Sequence, residues 1–143
     1  MTGALVIAAE PAVDEQELMI LYAAVGWTAY TADPALLRQA VANSSHVVTA
    51  RRAGRLVGLA RAISDDATIC YLQDVLVHPD ERRSGIGRAL VTAVLDRYAR
   101  VRQKVLLTDD EPGQRAFYES LGYTELRDLG DGTLRGFVRF DRP

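Results

Sequence analysis

Residues 75–90 read VLVHPDERRSGIGRAL, and the fold turns on how this stretch is parsed. The β-branched run from Val75 through Leu76 to Val77 ends at the His78-Pro79 turn. Arg82-Arg83-Ser84 and Gly85-Ile86-Gly87 follow, and then a run with helical spacing. A helix N-terminus carries N–H groups without intrahelical partners and the positive end of the dipole. Glycines at such a junction let the backbone approach an oxyanion, and Arg82, Arg83 and Arg88 add fixed charge that suits phosphate. A tight turn with solvated arginines is the plainer alternative. Both glycines among these arginines favour a phosphate cradle over it.

On either side of the loop the periodicities predict a mixed α/β chain. Residues 4–8 read as a strand. The segment from Asp14 puts Leu18, Leu21, Tyr22 and Val25 on one helical face, and Gly26 ends it. Asp33 and Pro34 open a second helix, which Asn43-Ser44-Ser45 breaks. HVVTARR, RLVGLARAI and TICYLQDVLV read as successive strands of an antiparallel meander turning at Ala53-Gly54 and Asp65-Asp66. A helix over 85–101, a buried strand KVLLT and a helix over 112–121 follow. YTEL and RGFVRF are then expected as strands around the Gly130-Asp131-Gly132 turn. The expected order is β-α-α-β-β-β-α-β-α-β-β, in a single domain over 1–143 with a mixed, mostly antiparallel sheet flanked by helices.

Composition narrows the function classes. The chain has 143 residues, 48% hydrophobic and 25% charged, which suits one globular domain. Its 17 basic and 19 acidic residues leave a net charge of −2, against a nucleic-acid binder that works by phosphate neutralisation. Cys70 is the single cysteine, so no internal disulfide forms and a reducing, cytoplasmic setting is expected. Two histidines in unrelated contexts offer no familiar metal spacing, so no metal is expected. The N-terminal ALVIAA is too short to span a membrane, and no membrane partner is expected.

Two phosphate motifs fail at one position. A P-loop needs Gly-Lys-Ser/Thr where this chain has Leu90, and Leu90 also replaces the third glycine of the dinucleotide pattern. Asp109 and Asp110 follow a strand where a ribose-binding acid would sit, so dinucleotide binding remains a competitor.

Arg82-Arg83-Ser84-Gly85-Ile86-Gly87 fits the Q/R-x-x-G-x-G/A signature of the GCN5-related N-acetyltransferases (GNAT), and QRAFYESLGY (114–123) resembles their A-x-x-x-Y-E-x-x-G-F segment. The element order agrees along nearly the whole chain. The resemblance implies an acetyl-CoA-binding fold with splayed central strands. Pantetheine would lie along the backbone of Val75, Leu76 and Val77, and the pyrophosphate on the amides of Arg83 to Arg88. Two positions depart from the pattern: Glu111 stands where the family often has Asn, and Gln114 where it often has Ala. Asp109 or Gln114 would replace the missing cofactor contact, and Phe117 joins the cofactor side.

Acetyl transfer to an amine needs an unprotonated amine, a stabilised oxyanion and a proton for the leaving thiolate. Spacing alone reads Tyr118 as a core aromatic, with Leu121 on its face. The resemblance implies instead the general acid, and an ordinary tyrosine with a pKa of about 10 holds its proton at neutral pH. Asp74 interrupts an apolar strand, either to accept a proton through water or hold a cationic amine, or as one end of a structural hydrogen bond. Trp27 and Tyr30, in the expected loop VGWTAYTADP, either wall an amine pocket or cover the core edge. Tyr71 and Gln73, beside Asp74, are assigned with them to the acceptor side. VGW with DVLV is similar to arylalkylamine (serotonin-type) acetyltransferases, a combination shared widely among bacterial relatives, which names no substrate. The expected reaction is acetyl transfer from acetyl-CoA to a primary amine, a small molecule by preference, by direct attack in a ternary complex. The alternatives are a protein or peptide amine, a longer acyl group, or a non-catalytic acyl-CoA-binding module. A homodimer, through a strand edge at 134–140, stays open.

Overall fold

Five strands pair in sequence order: β1 (Leu5–Ala9), β2 (His46–Arg52), β3 (Arg55–Ser64), β4 (Ile69–Val77) and β5 (Gln103–Leu106). They come from a computed structural model that describes residues 3–141. The first three pairings are antiparallel and β4–β5 is parallel, so the sheet is mixed and mostly antiparallel, as the sequence implies.

The helices of this unit are α1 (Glu15–Ala24), α2 (Thr28–Thr31), α3 (Pro34–Ala42) and α4 (Ile86–Arg97). Asp14 caps α1 by accepting from the Glu17 amide at 3.2 Å, and Asp33 caps α3 by accepting from Leu36 at 3.2 Å. The short helix α2 falls where the sequence reads as loop.

Central strand β3 is buried on both faces, which explains its near-continuous apolar run. Leu59 joins Leu18, Leu21, Tyr22, Leu37 and Val41 in the core beneath α1 and α3. Its neighbour Gly58 faces the other way, toward Leu90 and Ile86 of α4. Helix α4 also buries Val91 and Val94, and the helix stops at Arg97 rather than reaching 101, with Tyr98 buried at its end.

Residues to Leu107 form one compact unit and those from Thr108 a second. The second holds α5 (Gln114–Ser120) and a 3-10 turn, Leu126–Asp128. Here the strands expected at 123–126 and 135–140 are not formed. Arg115 of α5 holds Glu125 at 2.8 Å and Asp128 at 2.6 Å, which favours a compact turn over an extended strand. For 135–140, a strand is stable only with a ladder partner, and among the described residues this unit supplies none. The glycine turn itself is present, with the Gly132 amide donating to the Leu129 carbonyl at 3.0 Å.

Candidate functional site

Residues 82–88 follow a short 3-10 turn, Pro79–Glu81, at the end of β4 and run into the first turn of α4. Arg82, Arg83, Ser84 and Gly85 are exposed, while Ile86 is buried and anchors the helix behind them. Gly85 is the N-cap residue at φ +83°, and no side chain caps the first turn of α4, in contrast to α1 and α3. Nothing lies within 4 Å of where a Gly85 Cβ would stand, so the approach to the loop backbone is open. Arg83 is itself left-handed at φ +63°, a strained geometry for a residue with a side chain.

Beside the loop the sheet comes apart. Strand β5 pairs with β4 only from Ile69 to Leu72, whereas β3 follows β4 up to Val77. Among the described residues Val75, Leu76 and Val77 therefore have a strand partner on one side only, and their other edge carries backbone N–H and C=O groups outside any ladder. An amide-bearing chain can add to such an edge as another strand would. These two features, an uncapped glycine-opened helix and an open strand edge leading to it, fit a coenzyme A moiety at the positions that the sequence singled out.

On β4, Asp74 pairs with Arg61 but the next registered pair is Leu72 with Ala62, so Gln73 is an extra residue that bulges the strand. Asp74 is 3% exposed and is held by three donors. Tyr22 Oη donates at 2.9 Å, Tyr30 Oη at 2.8 Å and Arg61 Nε at 2.6 Å. Gln73 Nε2 donates to Tyr30 Oη at 3.0 Å, which ties the bulge to α2. Burial and then the Asp74 charge raise the phenol pKa of Tyr22, Tyr30 and Tyr71, so each keeps its proton.

This network joins Asp74, the catalytic candidate of β4, to Tyr30 and Gln73, which the sequence assigned to the acceptor side. Trp27 packs edge-on to Tyr22 at 5.9 Å and lies 6.1 Å from Tyr30, so both aromatics cover the core edge while staying partly exposed. The sequence reading did not single out Arg61. Its signal was available: an arginine in an apolar strand requires a partner as much as Asp74 does. Glu81, which the sequence reading also did not single out, is buried.

Tyr118, Phe117, Gln114 and Asp109 belong to the second unit. Phe117 and Tyr118 meet edge to face at 4.9 Å, and Tyr118 meets Tyr123 in the same way at 5.9 Å. Burial, then the Asp109 charge, pushes the Tyr118 phenol above the ordinary tyrosine range. Asp109 Oδ1 accepts from the Glu111 amide at 3.2 Å, and Gln114 begins α5.

A mixed sheet that splays beyond β4, with a glycine–arginine loop opening the next helix, is the architecture of the GNAT acetyltransferases. A GNAT protein from Streptococcus pneumoniae TIGR4 superposes with a TM-score of 0.83 at 26% identity, over 98% of this chain and all of that one. An acetyltransferase of that family from Xanthomonas campestris gives 0.72 at 27% identity, over 96% of each chain. The chain belongs to this family: the acetyltransferase (GNAT) domain profile matches residues 11–133. Among curated relatives, an uncharacterized N-acetyltransferase (ycf52) of Pyropia yezoensis is 28% identical over 75% of this chain and 63% of its own length. The mycothiol acetyltransferase of Clavibacter michiganensis is 38% identical over 53% of this chain and 24% of its own. The chain thus spans less than two thirds of the length of these curated relatives.

Proposed function

We propose that this chain is a single-domain N-acetyltransferase that moves an acetyl group from acetyl-CoA to a primary amine by direct attack in a ternary complex. The observation that carries the reading is the open β4 edge at Val75–Val77 running into the uncapped, glycine-opened start of α4. The edge would receive the pantetheine amides, and the α4 first turn with Arg82, Arg83 and Arg88 the pyrophosphate. Acetyl-CoA, when bound, supplies an acyl thioester open to an amine.

Tyr118 Oη holds its proton at any pH near neutrality and is the proposed donor to the departing sulfur. Asp109, Gln114 and Phe117 are proposed to line the cofactor side with it. Asp74 already receives three hydrogen bonds, which favours a positioning role over that of proton acceptor. It would fix Tyr30 and the bulge at Gln73, and water would take the amine's proton. Trp27, Tyr30, Tyr71 and Gln73 are the proposed acceptor-side residues. Partly exposed aromatics beside a buried carboxylate favour a small amine with an apolar body. Among the described residues no helix is long and apolar enough to cross a membrane, and a cytoplasmic setting is proposed.

The test is a thiol-release assay with acetyl-CoA across arylalkylamines, polyamines and lysine peptides. Turnover with a small amine supports the reading, and turnover with peptides alone moves the acceptor to proteins. Binding of acetyl-CoA without turnover on any amine would make the chain an acyl-CoA-binding module. Phe137 at 93% and Phe140 at 85% exposure are the side chains that a homodimer would cover, which sedimentation velocity at two concentrations reads directly.

A further inference from the structure

Glu81 immediately precedes the loop and is 5% exposed, an unusual place for a carboxylate. Its partner is Arg52, the last residue of β2, whose Nε lies 3.0 Å from Oε1 and 3.2 Å from Oε2. Arg52 is fixed in turn. It pairs with Leu5 and Arg55 in the ladder, and its Nη1 donates to the Gly3 carbonyl at 2.9 Å. The backbone around Glu81 is tied on both sides: its amide donates to the His78 carbonyl at 2.9 Å, and Ser84 Oγ donates to the Glu81 carbonyl. The His78 amide donates to Val57 of β3 at 2.8 Å. The left-handed residues, Arg83 and then Gly85, begin two positions later, and of the two only Arg83 is strained by its side chain.

We infer that the Arg52–Glu81 ion pair positions the cofactor loop, by bolting the residue just before it to the β2–β3 hairpin and by neutralising a buried anion beside the place proposed for a pyrophosphate. A left-handed arginine persists only where its surroundings over-determine it. Fixing Glu81 at the sheet does so from one end, and burying Ile86 does so from the other. Arg52 also keeps the Glu81 charge from opposing an anion on the loop. Neither residue is among those proposed to hold the cofactor, so both would act through the loop.

This inference rests on the acetyl-CoA reading, and its test separates the two. Coenzyme A binding is measured by calorimetry for the unaltered chain, Glu81→Ala, Glu81→Gln and Arg52→Lys, beside thermal melting and steady-state kinetics. Glu81→Ala is expected to weaken coenzyme A binding by about tenfold or more, with the change falling on KM for acetyl-CoA and not on KM for the amine. Glu81→Gln keeps the side-chain shape and an acceptor for Arg52 Nε, so it should recover part of the affinity. Arg52→Lys keeps the charge and loses the two-point contact, so it should lie between. If Glu81→Ala does not fold, the two conservative variants decide the question. Unchanged coenzyme A affinity in the folded variants, with only a lowered melting temperature, overturns the positioning role and leaves the cofactor reading standing. No binding by the unaltered chain overturns the cofactor reading and this inference together.

Discussion

Arg61 Nε lies 2.6 Å from Asp74 Oδ2, and the two residues face each other across the β3–β4 ladder where β4 carries its extra residue, Gln73. Both are buried, at 6% and 3% exposure, so neither charge is tolerable alone. The pair thus pins the bulge, and Tyr22 and Tyr30 pin α1 and α2 to the pair.

Arg61→Met should cost about 3–5 kcal/mol of stability, because it leaves Asp74 buried with only two phenols as donors. The measurement is the denaturant midpoint at constant m-value. Asp74→Asn should lower stability too, but leave the ionisations in the pH–rate profile in place, since a positioning carboxylate accepts no proton from the amine. Disappearance of one ionisation would make Asp74 the base.

Tyr118→Phe should keep coenzyme A affinity and lower kcat by about tenfold or more, the range for loss of a proton donor. Since burial and the Asp109 charge raise the Tyr118 pKa, kcat should not decline up to about pH 10. A fall in kcat already between pH 8 and 9, on the order of the shift expected from a group with a depressed pKa, would assign the proton to another residue.

Gly58 lets α4 pack close against the sheet. A Cβ there would stand 3.0 Å from Leu90 Cδ1, 3.1 Å from Ile86 Cγ2 and 3.3 Å from Ala50 Cβ. Gly58→Val should therefore destabilise the fold by about 1–3 kcal/mol through overpacking. Because Ile86 opens α4, it should also weaken coenzyme A binding. Calorimetry on the folded variant reads the second effect apart from the first.

The buried phenols set an alkaline limit. Tyr22 and Tyr30 have folded pKa values above the unfolded value of about 10, with burial the first cause and the Asp74 charge the second. Above that pH the unfolded chain loses protons that the folded chain keeps, so stability falls as pH rises. Tyr22→Phe should be less stable at pH 8, having lost its bond to Asp74, yet show a smaller drop from pH 8 to pH 11. An equal drop in the variant would place the titration elsewhere.

Much of this was legible in the sequence, and the failures are instructive. Asp33-Pro34 marked the start of α3, RLVGLARAI marked a strand of the antiparallel meander, and Gly85 marked the start of α4. Asp74 announced that it needed partners, though not which. Its donors Tyr22, Tyr30 and Arg61 are brought to it by α1, α2 and β3, a long-range arrangement that no local pattern encodes. The strand expected at 135–140 failed for a related reason. Alternation shows what a segment can pair with and not whether a partner strand lies beside it. Glu81 gave no local sign of its burial: its charge alone suggests solvent, and its buried place depends on Arg52 from a distant hairpin.

The central claim is that the loop at 82–88 and the open edge of β4 hold coenzyme A, and calorimetric titration with acetyl-CoA, with NADH as the control, tests it most directly. The account predicts micromolar acetyl-CoA binding, none of NADH, and loss of binding in Gly85→Glu, whose carboxylate would stand in the open approach to the α4 amides. No acetyl-CoA binding by the unaltered chain, with its fold intact by circular dichroism, would contradict it.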